Sequence, residues 1–210
     1  MNTQESENSK PKINLPNKLT IIRIILVPVF MILILIPNYI AQFPEVWARI
    51  LSASVFLLAS LTDLVDGIIA RRLNLITNFG RFMDPLADKF LVVGALFAVT
   101  ASDLFSQIQL FLVCITAIVF FRELAVTSLR LVANKSDDNV IAANSGGKLK
   151  TVLQVICIMT ILLESIVVTN YLNTPEYLFS YITMALMTAQ TIYSGLIYFK
   201  IYWSYVDPTK

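Results

Sequence analysis

Apolar and polar positions fall in long blocks along this chain rather than in the short periods of a soluble domain. After a polar lead, residues 1–12, comes INLPNKLTIIRIILVPVFMILILIP, whose apolar character ends near Pro37. A second run begins near Trp47 and reaches Val65. A third extends from Phe90 to about Ala101, lengthened at its start by Pro85-Leu86-Ala87. A fourth spans roughly Ile108 to Val132 and is interrupted by Arg122-Glu123. A fifth covers roughly Thr151 to Val168, and a sixth roughly Leu178 to Tyr202. A helix needs about 20 residues to cross the hydrocarbon core. The pattern therefore predicts an all-α polytopic membrane bundle of six transmembrane helices, several projecting beyond the bilayer on one side. Pro16-Asn17 reads as a helix start, with Thr20 and Arg23 following on one face. The first part of that run, with Lys18 and Arg23, is expected to be a short interfacial segment that turns into the bilayer near Pro28. Residues 1–12 are expected to be a disordered tail, and residues 13–205 a single membrane domain without repeats.

Composition strengthens the membrane reading. The chain is 57% hydrophobic and 14% charged, against about 25% charged in soluble domains, and its mean hydropathy is +0.72. It has no histidine, which removes histidine bases, histidine metal sites and Ser-His triads. Cys114 and Cys157 lie alone in apolar runs and read as small fillers. The polar lead is too long for a signal peptide. The net charge of +2 says little beside its distribution, and no nucleic-acid partner is expected. With six crossings the loops alternate sides. Of the 16 lysines and arginines, all but Arg49 fall on the side of the termini. This positive-inside bias predicts that both termini are cytoplasmic.

The stretch DLVDGIIARRLNLITNFGRFMDPLADK, Asp63 to Lys89, sits on that same side and concentrates charge between apolar runs. Ionisable residues near a membrane are costly and start as a functional hypothesis. Asp63/Asp66 and Asp84/Asp88 are spaced i, i+3 and i, i+4, so each pair shares a helix face. Like charges on one face call for a counter-charge. Asp84-Pro85 reads as a helix start with the aspartate as N-cap. If the two helix ends face each other, four carboxylates converge. An all-oxygen set suits Mg²⁺ or Mn²⁺ and disfavours zinc, and four acids suffice for two ions. The plainer alternative is a set of solvated helix-end charges paired with Arg71, Arg72 and Arg81. An ion-coupled transporter is a third reading, but it predicts acids near the bilayer midplane, whereas these lie at helix ends.

Asp63, Asp66, Gly67, Ala70, Arg71, Gly80, Asp84 and Asp88 together spell D-x2-D-G-x2-A-R-x8-G-x3-D-x3-D. This resembles the signature of the CDP-alcohol phosphotransferase family, without departure. The resemblance implies six membrane helices, a cytoplasmic site in a bacterial plasma membrane, a homodimer and two divalent ions. It implies Asp63, Asp66, Asp84 and Asp88 as metal ligands and Asp88 as catalytic base. Asp66, Gly67, Ala70 and Arg71, with Thr20, are the implied contacts of a CDP-diacylglycerol donor. The implied reaction is attack of an alcohol on the phosphate bearing diacylglycerol, with CMP leaving.

Three further segments bear on the alcohol. PNKLTIIRIILVP, FRELAVTSLR and SGGKLKTVLQ resemble the branch of the family that makes phosphatidylglycerophosphate. Arg122 and Arg130 are eight residues apart, about 80° around a helix, and could flank one pocket. With Ser145, Lys148 and Lys150 they suit a phosphorylated acceptor, glycerol 3-phosphate. The alternative reading of these cations is binding of anionic membrane lipids. A cardiolipin synthase of the same family, taking phosphatidylglycerol, remains the alternative activity. Whether Glu123 orients a neighbour or is simply an adjacent acid stays open at this level.

Overall fold

The computed structural model describes residues 15–73, 78–136, 145–171 and 175–206. The tail expected over residues 1–12 and the acidic pair Asp137-Asp138 lie outside the described residues. Six long helices account for the apolar runs: α1 Leu15–Tyr39, α2 Glu45–Leu73, α3 Asn78–Ala101, α4 Gln109–Ser136, α5 Ser145–Tyr171 and α6 Leu178–Val206. A short 3-10 segment, Asp103–Ile108, leads into α4. Five helices contain stretches long and apolar enough to cross a membrane, and the chain is an all-helical multi-pass membrane protein. The sixth helix, α3, is 24 residues long, but Asp84, Asp88 and Lys89 shorten its apolar part to Phe90–Ala101.

Each helix buries one stripe and offers the rest to lipid, the arrangement expected where hydrocarbon is as good a solvent as a neighbouring leucine. On α1 the buried stripe is Thr20, Arg23, Val27, Phe30 and Ile34, alternating three and four residues. On α2 it includes Ser52, Phe56, Ala59 and Ser60, and leads into Asp63. On α3 Asp88 is followed along the same face by Leu91, Ala95 and Ala98. These stripes meet in one core, with Phe30 and Phe56 at a ring separation of 5.7 Å. α1 packs on α2 and α3, α6 packs on α4 and α5, and α2–α5 and α3–α4 contacts join the two halves. Gly94 allows the close approach of α1 to α3. A Cβ there would lie 2.8 Å from Val27 Cγ1.

The observed helices differ from the expected ones in three places. α1 runs unbroken through Pro28, where a turn into the bilayer was expected. The missing N–H removes one backbone bond, while Val27, Phe30 and Ile34 hold the helix against the core on either side. Arg23 turns its side chain into the bundle rather than toward headgroups, and is 1% exposed. Finally, α3 begins at Asn78, so Asp84 sits in its second turn and is not an N-cap.

The end of the bundle away from the aspartates is closed by Arg49. Its Nη2 donates to the Leu104 carbonyl at 2.8 Å and to the Tyr177 hydroxyl at 3.2 Å, and its guanidinium lies over the Phe105 ring. Tyr177 itself adopts a left-handed backbone conformation, φ 62°, uncommon for an aromatic residue.

Candidate active site at the aspartate end

The start of α1, the late part of α2 and the start of α3 meet at one end of the bundle, and two direct bonds fasten α1 to the acids. Arg23 Nη1 pairs with Asp63 Oδ1 at 2.8 Å. One turn earlier, Thr20 Oγ1 donates to Asp84 Oδ1 at 2.7 Å. Thr20, expected at the nucleotide donor, is thus bonded to an acid of the site.

Asp63 and Asp88 line one cavity of about 180 Å³ between α2, α3 and α5, together with Ser60, Leu91 and Thr151. Its walls are otherwise apolar. Burial, and after it the charge of Asp63, push the Asp88 carboxyl above its ordinary value. No lysine or arginine is among the described residues that line the cavity, although the charges of Lys150 and Arg23 reach Asp88. Among the described residues no three acidic, histidine or cysteine side chains are gathered closely enough to hold an ion by themselves. The donors present fit a hard divalent cation in kind: they are carboxylate oxygens, two of them facing one cavity and repelling each other. Asp66, Gly67, Ala70 and Arg71 lie along α2, with side chains outside the described residues.

A second cluster lies beside the first. Arg122 and Arg130 of α4 both approach the Tyr198 ring of α6, at 5.6 and 4.8 Å from its centroid. Arg130 Nη2 also donates to the Tyr198 hydroxyl at 2.8 Å, and Arg122 Nη2 to Ser194 Oγ at 2.9 Å. The structure therefore brings together the two arginines that helical spacing set about 80° apart. Gly195 leaves room for the Arg122 stem, since a Cβ there would lie 3.2 Å from Arg122 Cγ. Lys150, in the second turn of α5, pairs with Glu123, which also accepts from Arg122 Nη1 at 3.3 Å. The charges of Lys150 and Glu123 are both felt at Asp88, so the cation cluster adjoins the acids. Ser145 and Lys148 fall in the first turn of α5, with side chains outside the described residues.

Sequence reasoning did not single out Ser194 and Tyr198, which form the back of the arginine cluster. Their only signal is a polar residue at every third or fourth position of an otherwise apolar helix, Thr191, Ser194, Tyr198 and Tyr202, all buried.

The arrangement has two parts: acids fit to hold cations and take a proton, and cations fit to hold a phosphate. Relatives share both their length and their sequence with this chain. A Bacillus subtilis protein named CDP-diacylglycerol–glycerol-3-phosphate 3-phosphatidyltransferase is 42% identical over 200 residues, 90% of this chain and 95% of its own. A protein of the same name from Wigglesworthia glossinidia brevipalpis is 36% identical, over 72% of this chain and 78% of its own. A Mycobacterium tuberculosis protein named probable phosphatidylglycerophosphate synthase is 32% identical, over 88% and 79%. The profile of one sequence family, described as CDP-alcohol phosphatidyltransferase, matches residues 13–194. With its acids in the order and on the helices described above, the chain belongs to the CDP-alcohol phosphatidyltransferase family.

Proposed function

We propose that this chain transfers the phosphatidyl group of CDP-diacylglycerol to glycerol 3-phosphate, giving phosphatidylglycerophosphate and CMP in phospholipid biosynthesis. The observation that carries the reading is the 42% identity, over nine-tenths of the chain, to a protein named for that reaction. The linkage of Arg122, Arg130 and Lys150 through Tyr198 and Glu123, with the Lys150 charge felt at Asp88, supports the phosphate-bearing acceptor. The proposed setting is the cytoplasmic face of a bacterial plasma membrane, with both termini cytoplasmic, as the distribution of lysine and arginine supports. A homodimer, implied by the family resemblance, is part of the same reading.

In this reading Asp88 takes the proton of the acceptor hydroxyl. The freed oxygen forms a bond to the phosphorus bearing diacylglycerol, and the bond from that phosphorus to the CMP oxygen breaks. Asp66, Gly67, Ala70 and Arg71 hold the cytidine diphosphate part. Thr20 serves the donor side through its bond to Asp84. Arg122 and Arg130, with Ser145, Lys148 and Lys150, receive the phosphate of the acceptor. Asp63, Asp66, Asp84 and Asp88 would hold two Mg²⁺ or Mn²⁺ ions. When bound, such ions neutralise the diphosphate and stabilise the charge on the leaving oxygen.

The test is an acceptor panel. Purified protein, CDP-diacylglycerol and Mg²⁺ or Mn²⁺ are incubated with glycerol 3-phosphate or with phosphatidylglycerol, and CMP is measured. Release with glycerol 3-phosphate is expected. Release only with phosphatidylglycerol would make the chain a cardiolipin synthase, and no release with any alcohol would remove the activity altogether.

A further inference from the structure

Glu123 has no part in the transfer just described, yet it lies at the centre of the acceptor cations. It is 8% exposed, as is its partner Lys150. Its Oε1 accepts from Lys150 Nζ and from Arg122 Nη1. Arg122 continues the chain of contacts to Ser194 and Tyr198. One carboxylate thus links cations of α4 and α5, and through Arg122 reaches α6.

Stability alone is a poor account of this arrangement. Burying ionised groups costs several kcal/mol each, and well-packed apolar residues often serve a fold as well. Direct contact with the acceptor's phosphate is disfavoured, since a carboxylate repels a phosphate. Two buried donors, Arg122 Nε and, one turn beyond Lys150 on α5, Gln154 Nε2, have no acceptor among the described residues. A phosphate oxygen is the kind of acceptor they lack. From these observations we propose that Glu123 is a positioning residue for the acceptor. It holds the Lys150 ammonium and the Arg122 guanidinium so that they, with Gln154, face a phosphate monoester placed next to Asp88. The proposal rests on the reading of the acceptor as a phosphorylated alcohol.

Full-length protein in detergent micelles, with CDP-diacylglycerol and Mg²⁺, tests it by CMP release while glycerol 3-phosphate is varied. Glu123→Gln should raise the apparent KM for glycerol 3-phosphate on the order of 10- to 100-fold, the cost of one misplaced charge-assisted contact. The apparent KM for CDP-diacylglycerol should stay within about twofold. Glu123→Asp, which keeps the charge, should recover most of the loss. An unchanged KM for glycerol 3-phosphate in Glu123→Gln overturns the proposal. So does a parallel rise in both KM values, which marks general damage to the fold.

Glu123→Gln leaves a buried lysine unpaired and can fail to fold, so a second comparison uses Lys150→Met against the Glu123→Gln/Lys150→Met double variant. With the lysine gone, loss of the acid should cost only about threefold in the KM for glycerol 3-phosphate. A full additive loss overturns the proposal. Wild-type protein that releases CMP with phosphatidylglycerol but not with glycerol 3-phosphate overturns the acceptor reading and this proposal together, and does so without reference to any variant.

Discussion

Glu164→Gln loosens the joint between α5 and α6. The carboxylate projects from α5 and accepts the Phe179 N–H at 2.7 Å, the Ser180 N–H at 2.6 Å and the Ser180 hydroxyl. Phe179 and Ser180 are first-turn residues of α6, whose N–H groups have no partner within their own helix. Glu164 is therefore a cap supplied by a neighbouring helix, and it is 4% exposed. Glutamine keeps one acceptor oxygen. Set in the place of Oε2, that oxygen still serves both Ser180 groups, but the amide NH₂ then faces the N–H of Phe179. This donor is only part-buried, and left without an acceptor it costs at most about 1–3 kcal/mol. Loss of negative charge at a helix N-terminus adds about 0.3–1 kcal/mol. For a chain of this size each kcal/mol lowers Tm by about 2–4 °C, so the expected fall is roughly 3–15 °C. Thermal unfolding in detergent, followed by the fluorescence of Trp47 and Trp203, measures it. Glu164 lies 14 residues beyond Lys150 on the same helix, about 21 Å away, so the KM for both substrates should not move. A Tm within about 1 °C of wild type would refute the capping argument.

Four other expectations follow from the same structure. Asp88→Asn should lose at least about 100-fold in turnover, the usual range for a general base, while CDP-diacylglycerol binding stays measurable; an active variant removes the base assignment. Arg122→Ala should raise the KM for glycerol 3-phosphate about tenfold or more and leave that for CDP-diacylglycerol near wild type, and the opposite split would place Arg122 at the donor. Gly94→Ala puts a Cβ 2.8 Å from Val27 Cγ1, so stability should fall by about 1–3 kcal/mol, read as a lower unfolding midpoint, and Val27→Ala in the same chain should restore part of it. In EDTA-treated protein, the Asp88 carboxyl keeps its proton to a higher pH in the folded state than in the unfolded chain. Its contribution to stability is full below the ordinary carboxylate pKa of about 4 and fades as pH rises through the raised value; Mn²⁺ should offset the loss, and a midpoint that does not respond to pH would contradict the burial of Asp88.

The helices were legible because lipid imposes one rule on the whole span: about 20 apolar residues and few charges. The rule fails where a helix leaves the hydrocarbon. No unbroken apolar run marks the continuation of α2 from Asp63 to Leu73, where Asp66, Arg71 and Arg72 interrupt the apolar residues, or the start of α3 at Asn78 ahead of Asp84, because water and headgroups satisfy charged residues in a helix as readily as in a loop. Pro85 gave a misleading boundary, since a proline that suits a first turn is also tolerated in a second when packing holds the helix. The acids were legible from spacing within one helix. Contacts between helices were not. Glu123 beside Arg122 was ambiguous until Lys150, 27 residues further on, was seen against it, and no periodicity relates the two. Thr20 and Arg23 share a face of α1, yet only packing shows that the face meets Asp84 and Asp63.

The Arg23–Asp63 pair bears on how the chain enters the membrane. Arginine in a spanning segment costs about 2.5–3.5 kcal/mol at mid-bilayer when unpaired, and less near the interface. Arg23 emerges from the ribosome 40 residues ahead of the carboxylate that receives it. Until α2 arrives, α1 holds an uncompensated charge, which favours a shallow position for its first turns. Arrival of α2 lets both be drawn in as a hairpin, and the same event puts the first acid of the site in place. Biogenesis and assembly of the candidate site thus share one contact, and a chain released before Asp63 lacks the partner that seats its first helix.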